Sequence, residues 1–161
     1  MIMTQSERRA QTTAEIAERT GIDEAMIERL VHAFYDRVRQ DALLGPIFDQ
    51  RIADWDLHLG RMCSFWSSVA LMTGRYHGQP TAKHLPLPVD RRHFDRWLQL
   101  FCETAVDVCP SSAVEHFISR ARRIAESLEL AVASKNGVLL MKGQRLCRSD
   151  HEVYLQNEPC R

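Results

Sequence analysis

The chain has 161 residues and a mass of 18.6 kDa, the size of one ordinary domain that can bury a core without disulfides or a structural metal. Apolar residues make up 45% and charged residues 26%, which excludes a disordered chain. The 21 basic and 21 acidic side chains cancel, so no net charge points to nucleic acid or an anionic membrane, and no apolar run approaches the ~20 residues of a membrane span.

The first twenty residues carry Glu7, Arg8, Arg9, Glu15 and Glu18 and show no secretory signal. Five cysteines, at 63, 102, 109, 147 and 160, form no CxxC pair and read as reduced thiols of a cytoplasmic protein. Residues 1–22 are an N-terminal arm with a short helix expected over Thr12–Arg19, ending at Thr20-Gly21. Asp23 then caps a stronger helix, with Met26, Ile27, Leu30, Val31, Phe34 and Val38 recurring at helical period to about Gln40. Gly45-Pro46 breaks the pattern, and Phe48 places a large ring on the short segment that follows. A second helix is expected from about Asp54 to Thr73, with Trp55, Leu59, Met62, Phe65, Trp66, Val69 and Met72 on its apolar face and Gly74 as its stop.

Between Arg75 and Asp90 the chain changes character. Gly78, Pro80, Pro86 and Pro88 exclude a long helix and leave room for a turn or so around Thr81–His84. Connectors of this length are often functional. Asp90 caps a third long helix through Phe94, Trp97, Leu98, Phe101, Ala105 and Val108, which Pro110 ends. Ser111 or Ser112 starts a fourth, through Phe117, Ala121, Leu128 and Val132. Residues 135–161 are a tail, expected to be flexible, whose short apolar runs Val138–Met141 and Val153–Leu155 also allow a small hairpin. The pattern is all-α: four main helices in two pairs within residues 23–134.

No phosphate-cradling glycine loop, serine elbow, HExxH pair or zinc-like Cys/His spacing is present. What stands out is a set of polar heads on apolar faces. His58 shares a helix face with Met62 and Trp66. Tyr35 edges the first stripe, Trp97 carries an indole N–H that needs an acceptor if buried, and His84 sits in a proline-framed loop. Taken singly, each reads more simply as a core, rim or loop residue. Together, the four could converge on one cavity.

The order Phe34-Tyr35, Leu43-Leu44-Gly45-Pro46-Ile47-Phe48, His58, Phe65-Trp66, Tyr76-His77-Gly78-Gln79-Pro80, Lys83-His84-Leu85 and Trp97-Leu98-Gln99-Leu100-Phe101 resembles the truncated haemoglobins, most closely their group III. The resemblance covers about Asp23 to Ala133. It implies a globin-like two-over-two helical sandwich holding haem b, with His84 as the iron ligand and an upstream backbone carbonyl as partner of its other ring nitrogen. Tyr35, His58 and Trp97 match the distal polar positions, Phe48 the ring on the porphyrin face and Met62 the residue over the distal side. Met62 departs from the commoner aliphatic there. Phe34, Phe65, Trp66, Leu98 and Phe101 match pocket and core positions, and Arg61, Lys83 and Arg75 are candidates for the propionates.

The resemblance implies binding of O₂, NO, CO or similar ligands. Two donors, each strengthening retention about tenfold, slow release on the order of 100-fold. That suits NO or reactive-oxygen chemistry, as an NO dioxygenase or peroxidase-like enzyme with a reductase, better than bulk transport. An oxygen carrier or store, a gas sensor and a haem-free helical interaction module are the alternatives.

Overall fold

Helix boundaries follow the side chains that satisfy them. The computed structural model describes residues 1–149 and 152–157. Helix α1 spans Gln5–Thr20, longer than its weak periodicity suggests. Thr4 and Glu7 close a capping box at its start, and Gly21, at φ 72°, supplies the left-handed residue at its end. Asp23 caps α2, Glu24–Gln40, by accepting from the Met26 N–H at 2.8 Å. The Gly-Pro break is itself a short helix, α3, Gly45–Arg51, with proline in its first turn.

Helix α4 runs Trp55–Leu71 from an Asp54 cap. It ends sooner than expected: Met72, at φ 57°, takes the left-handed cap position, ahead of Gly74. His116 Nε2 donates to the Ala70 carbonyl at 2.8 Å and Arg120 Nε to the Val69 carbonyl at 3.3 Å. These side chains of a later helix satisfy orphan acceptors of the last turn, where no helical N–H can reach. Helix α5 is the single turn Pro80–His84. Helices α6, Arg91–Val108, and α7, Ser111–Lys135, meet at Cys109-Pro110, where Pro110 occupies the N-cap of α7.

Helices α2 and α4 pack together, α6 and α7 pack together, and the pairs meet through α2 on α6 and α4 on α7. This is the expected two-over-two sandwich. Its core centres on Leu30, Phe34, Val38, Trp66, Phe101 and Phe117, all fully or nearly fully buried. Trp66, Phe101 and Trp97 form a stacked column, with Trp66 on Phe101 at 4.7 Å and Trp97 on Phe101 at 5.7 Å. Such stacked pairs add ~0.5–1.5 kcal/mol each beyond the area they bury.

Where a flexible tail is expected, the structure has an antiparallel hairpin, β1 (Gln144–Arg148) and β2 (Val153–Asn157). The first strand lies beyond the Val138–Met141 run expected to form it. Leu146 is fully buried in a second, smaller core with Val89, Phe94, Val132 and Ala133. Charge holds the hairpin there. Glu129, 5% exposed, accepts from Arg145 Nε at 2.9 Å and from the Leu146 N–H at 2.9 Å. Among the described residues, Cys63, Cys102, Cys109 and Cys147 are free thiols, and Cys160 lies outside them. No helix of the described residues is long and apolar enough to cross a membrane.

Candidate functional site

His84 is the last residue of α5. Prolines at 80, 86 and 88 frame the segment and limit its backbone. Its Nδ1 lies 2.6 Å from the Pro80 carbonyl. A carbonyl only accepts, so Nδ1 carries the proton and donates, which fixes the tautomer. Nε2 is left as an unprotonated acceptor with no hydrogen-bond partner among the described residues. Burial lowers the pKa, and the neighbouring Lys83 ammonium acts the same way against the Pro80 bond, so the ring is neutral near pH 7. A neutral, oriented imidazole with a free Nε2 is the form that binds a metal.

Helices α2 and α4 carry Tyr35 and His58. Their rings meet edge-on at 5.1 Å. Tyr35 is 5% exposed, yet its hydroxyl has no hydrogen bond among the described residues, and burial pushes its pKa up. His58 Nε2 is buried and has no hydrogen-bond partner among the described residues. Burial first, then the charges of Lys83, Arg61 and His84, lower its pKa to about 4. His58 is therefore neutral at pH 7, and its electrostatic neighbours are the residues of the connector and the rim. Trp97, from α6, sets its ring edge-on against Phe34 at 5.5 Å, and its indole N–H makes no hydrogen bond among the described residues.

The remaining candidates fall into two groups. Phe48, Met62, Phe65 and Leu98 are half-buried at the margin of the main core. Phe48 packs edge-on to Tyr35 at 5.9 Å, and Phe65 edge-on to Tyr76 at 5.3 Å. Phe34 and Trp66 are core residues, 1% and 2% exposed, that back this margin. Arg61 and Lys83 are exposed and border one open cavity of about 530 Å³, together with Arg75, Tyr76, His77 and Gly78. Arg75 pairs with Glu24 at 3.2 Å. That leaves Arg61 and Lys83 as the cations of the rim whose charge also reaches His58.

Two contributors were not singled out from the sequence as site residues. Trp55 sets its ring 5.7 Å from His58 and 6.1 Å from Tyr35, with the Arg39 guanidinium 4.4 Å over its own face. Its position three residues before His58 was the available signal, since that spacing puts both on one helix face. Asp41, with its side chain 6% exposed, accepts from the Leu43 and Leu44 N–H groups and from Arg96 Nε at 2.6 Å. It fixes the turn into α3 and so the height of Phe48. No local sequence pattern announces an Asp–Arg pair 55 residues apart.

The arrangement fits haem. It offers an imidazole nitrogen with no hydrogen-bond partner among the described residues on a proline-framed connector, and polar heads likewise without partners on α2, α4 and α6. Half-buried apolar side chains, Phe48, Met62, Phe65 and Leu98, lie at the edge of the main core, and Arg61 and Lys83 are exposed cations that could pair with propionates. The bacterial-like globin family matches residues 15–130. Group 3 truncated hemoglobin ctb of Campylobacter jejuni is 35% identical over 113 residues, covering 67% of this chain and 89% of that protein. Group 2 truncated hemoglobin YjbI of Bacillus subtilis is 28% identical over 98 residues, covering 60% of this chain and 67% of that protein. The crystal structure of the group III truncated hemoglobin from Campylobacter jejuni superposes with a TM-score of 0.63 and 36% identity, covering 66% of this chain and 88% of that one.

The fold and the site thus define a small globin. The chain belongs to the bacterial-like globin family, as a truncated haemoglobin most like group III. Globins normally bind haem and, through it, small diatomic gases.

Proposed function

We propose that this globin holds haem b through His84 and retains a diatomic ligand through Tyr35 and Trp97, for NO or reactive-oxygen chemistry rather than bulk oxygen transport. The observation that carries the reading is the His84 ring. Its Nδ1 donates to the Pro80 carbonyl at 2.6 Å, and its Nε2, like the buried Nε2 of His58, has no hydrogen-bond partner among the described residues.

Haem, when bound, supplies an iron that takes O₂, NO or CO and, with a reductase providing electrons, converts NO and O₂ to nitrate or turns over peroxide. The protein's part is to orient and to donate. The Pro80 carbonyl holds the imidazole in the tautomer that presents Nε2. The Tyr35 hydroxyl and Trp97 indole N–H donate to negative charge that develops on a ligand, a contribution of ~1.5–3 kcal/mol for a charge-assisted bond. Phe48, Met62, Phe65 and Leu98 exclude water and offer apolar surface to the macrocycle. Neutral His58 can donate or accept from the same side. Arg61 and Lys83 offer their charges to the propionates.

Absorption spectra of the reduced, oxidised and CO-bound protein test the assignment, with His84→Gly beside wild type. A spectrum of His-ligated haem that His84→Gly abolishes is expected. Wild-type protein that stays colourless after haem addition, or a His84→Gly spectrum identical to wild type, overturns it. Fast O₂ release from wild type would move the reading toward a carrier or store.

A further inference from the structure

The C-terminal hairpin lies outside the residues the family pattern matches, 15–130, yet it is anchored at two buried carboxylates. One is Glu129 on α7. The other is Asp90, 2% exposed, the last residue of the connector and the N-cap of α6. The Arg148 N–H of β1 donates to Asp90 Oδ2 at 3.1 Å. Leu146 shares its buried cluster with Val89, and Leu87 packs against that cluster. From there a run of hydrogen bonds leads back to the candidate ligand: Val89 N–H donates to the Leu87 carbonyl at 2.9 Å, and Leu87 N–H to the His84 carbonyl at 3.1 Å.

We infer that the hairpin is a positioning element for His84. It clamps the Leu85–Asp90 segment from behind, so that the imidazole keeps one height and tilt. The physical need is plain. Pro86 and Pro88 lack N–H groups, and α5 is a single turn, so the segment cannot hold itself by regular backbone bonding. A buried leucine and two carboxylate anchors supply from outside what helical structure would supply from within. Arg145 completes the clamp by bridging Glu129 and Asp95, from α7 to α6, with its guanidinium 2.7 Å from Asp95. The clamp itself is haem-independent; its consequence for the iron rests on the proposed role of His84.

The test uses the full chain with Glu129→Ala and Glu129→Gln, at a residue outside the candidate site. In the haem-free protein, Glu129→Ala is expected to speed amide hydrogen exchange at Leu87 and Val89 roughly ten- to a hundredfold, with α2 amides unchanged. Glu129→Gln, which keeps an oxygen for the Leu146 N–H, is expected to restore most of the protection. In the reduced haem-loaded protein, Glu129→Ala is expected to shift or broaden the iron–histidine vibration. Hairpin amides that exchange faster while Leu87 and Val89 do not, or an iron–histidine band identical to wild type, overturn the inference. Should Glu129→Ala not fold, wild-type exchange in low denaturant decides. A common opening of Leu146, Leu87 and Val89 supports the clamp, and separate openings refute it. If His84→Gly leaves the haem spectrum unchanged, it is the ligand reading that fails, and the haem-free exchange experiment still judges the clamp.

Discussion

Replacing Tyr35 by phenylalanine separates a functional hydroxyl from a structural one. The ring is held by edge-on contacts to Phe34 at 5.0 Å, Phe48 at 5.9 Å and His58 at 5.1 Å, with Trp55 at 6.1 Å. Phenylalanine keeps all four. The hydroxyl has no hydrogen bond among the described residues, so its removal breaks none. The oxygen keeps some solvent access, so its removal recovers only a small part of the ~1–3 kcal/mol that a fully buried unpaired hydroxyl costs. The haem-free Tyr35→Phe protein should therefore be as stable as wild type or up to ~1 kcal/mol more stable in urea denaturation. The haem-loaded variant should release O₂ roughly 10–100-fold faster in stopped flow, since a charge-assisted bond to the ligand is lost. The two effects have opposite signs. A variant that is destabilised without haem and releases O₂ at the wild-type rate would refute the assignment and make Tyr35 a packing residue.

Asp41→Ala should destabilise the protein by about 1–3 kcal/mol, because it strips acceptors from the Leu43 and Leu44 N–H groups and removes the carboxylate partner of half-exposed Arg96, which keeps its bond to Gln99; denaturant titration measures it. Gly45→Ala should cost about 1–3 kcal/mol in the same assay, because the new Cβ would meet the backbone oxygen of Arg39 at 2.8 Å and push α3 off α2. Acidification should weaken the haem-free fold through His58. The unfolded chain takes up the proton near pH 6.5 and the folded chain only near 4, so this stability is complete above about 6.5 and declines as pH falls through that window. Thermal midpoints between pH 7 and 4 should show the decline, and His58→Gln should make it shallower. An unchanged slope in that variant would place the acid sensitivity elsewhere.

The helices that carry the site are legible because their causes are local. Asp23, Asp54 and Asp90 each accept a backbone N–H within the next turn, and the apolar stripes of α2, α4 and α6 repeat at the helical period. The same local logic failed where partners are distant. Helix α4 stops at Leu71 rather than Thr73, where Met72 turns left-handed, side chains from α7 satisfy the Val69 and Ala70 carbonyls and Thr13 of α1 that of Leu71. The tail gave a poor helix signal and two short apolar runs. The Val153–Leu155 run falls in the second strand, but the first is Gln144–Arg148, whose Arg145 finds carboxylates on α6 and α7.

By itself, then, the amino-acid order determined which residue types could meet: imidazoles, a phenol, an indole and a proline-framed connector, in an order that resembles the truncated haemoglobins. Only the tertiary structure decided their states. It left the side chains of Tyr35 and Trp97 and the Nε2 of His58 without hydrogen-bond partners among the described residues, set Nδ1 of His84 on the Pro80 carbonyl, stood Trp55 beside His58 and tied the hairpin to Asp90. The physical reason is that periodicity and capping act within a turn or two of chain. Desolvation, tautomer and long-range ion pairs depend on groups tens of residues away, and those become neighbours only when the two helical layers close.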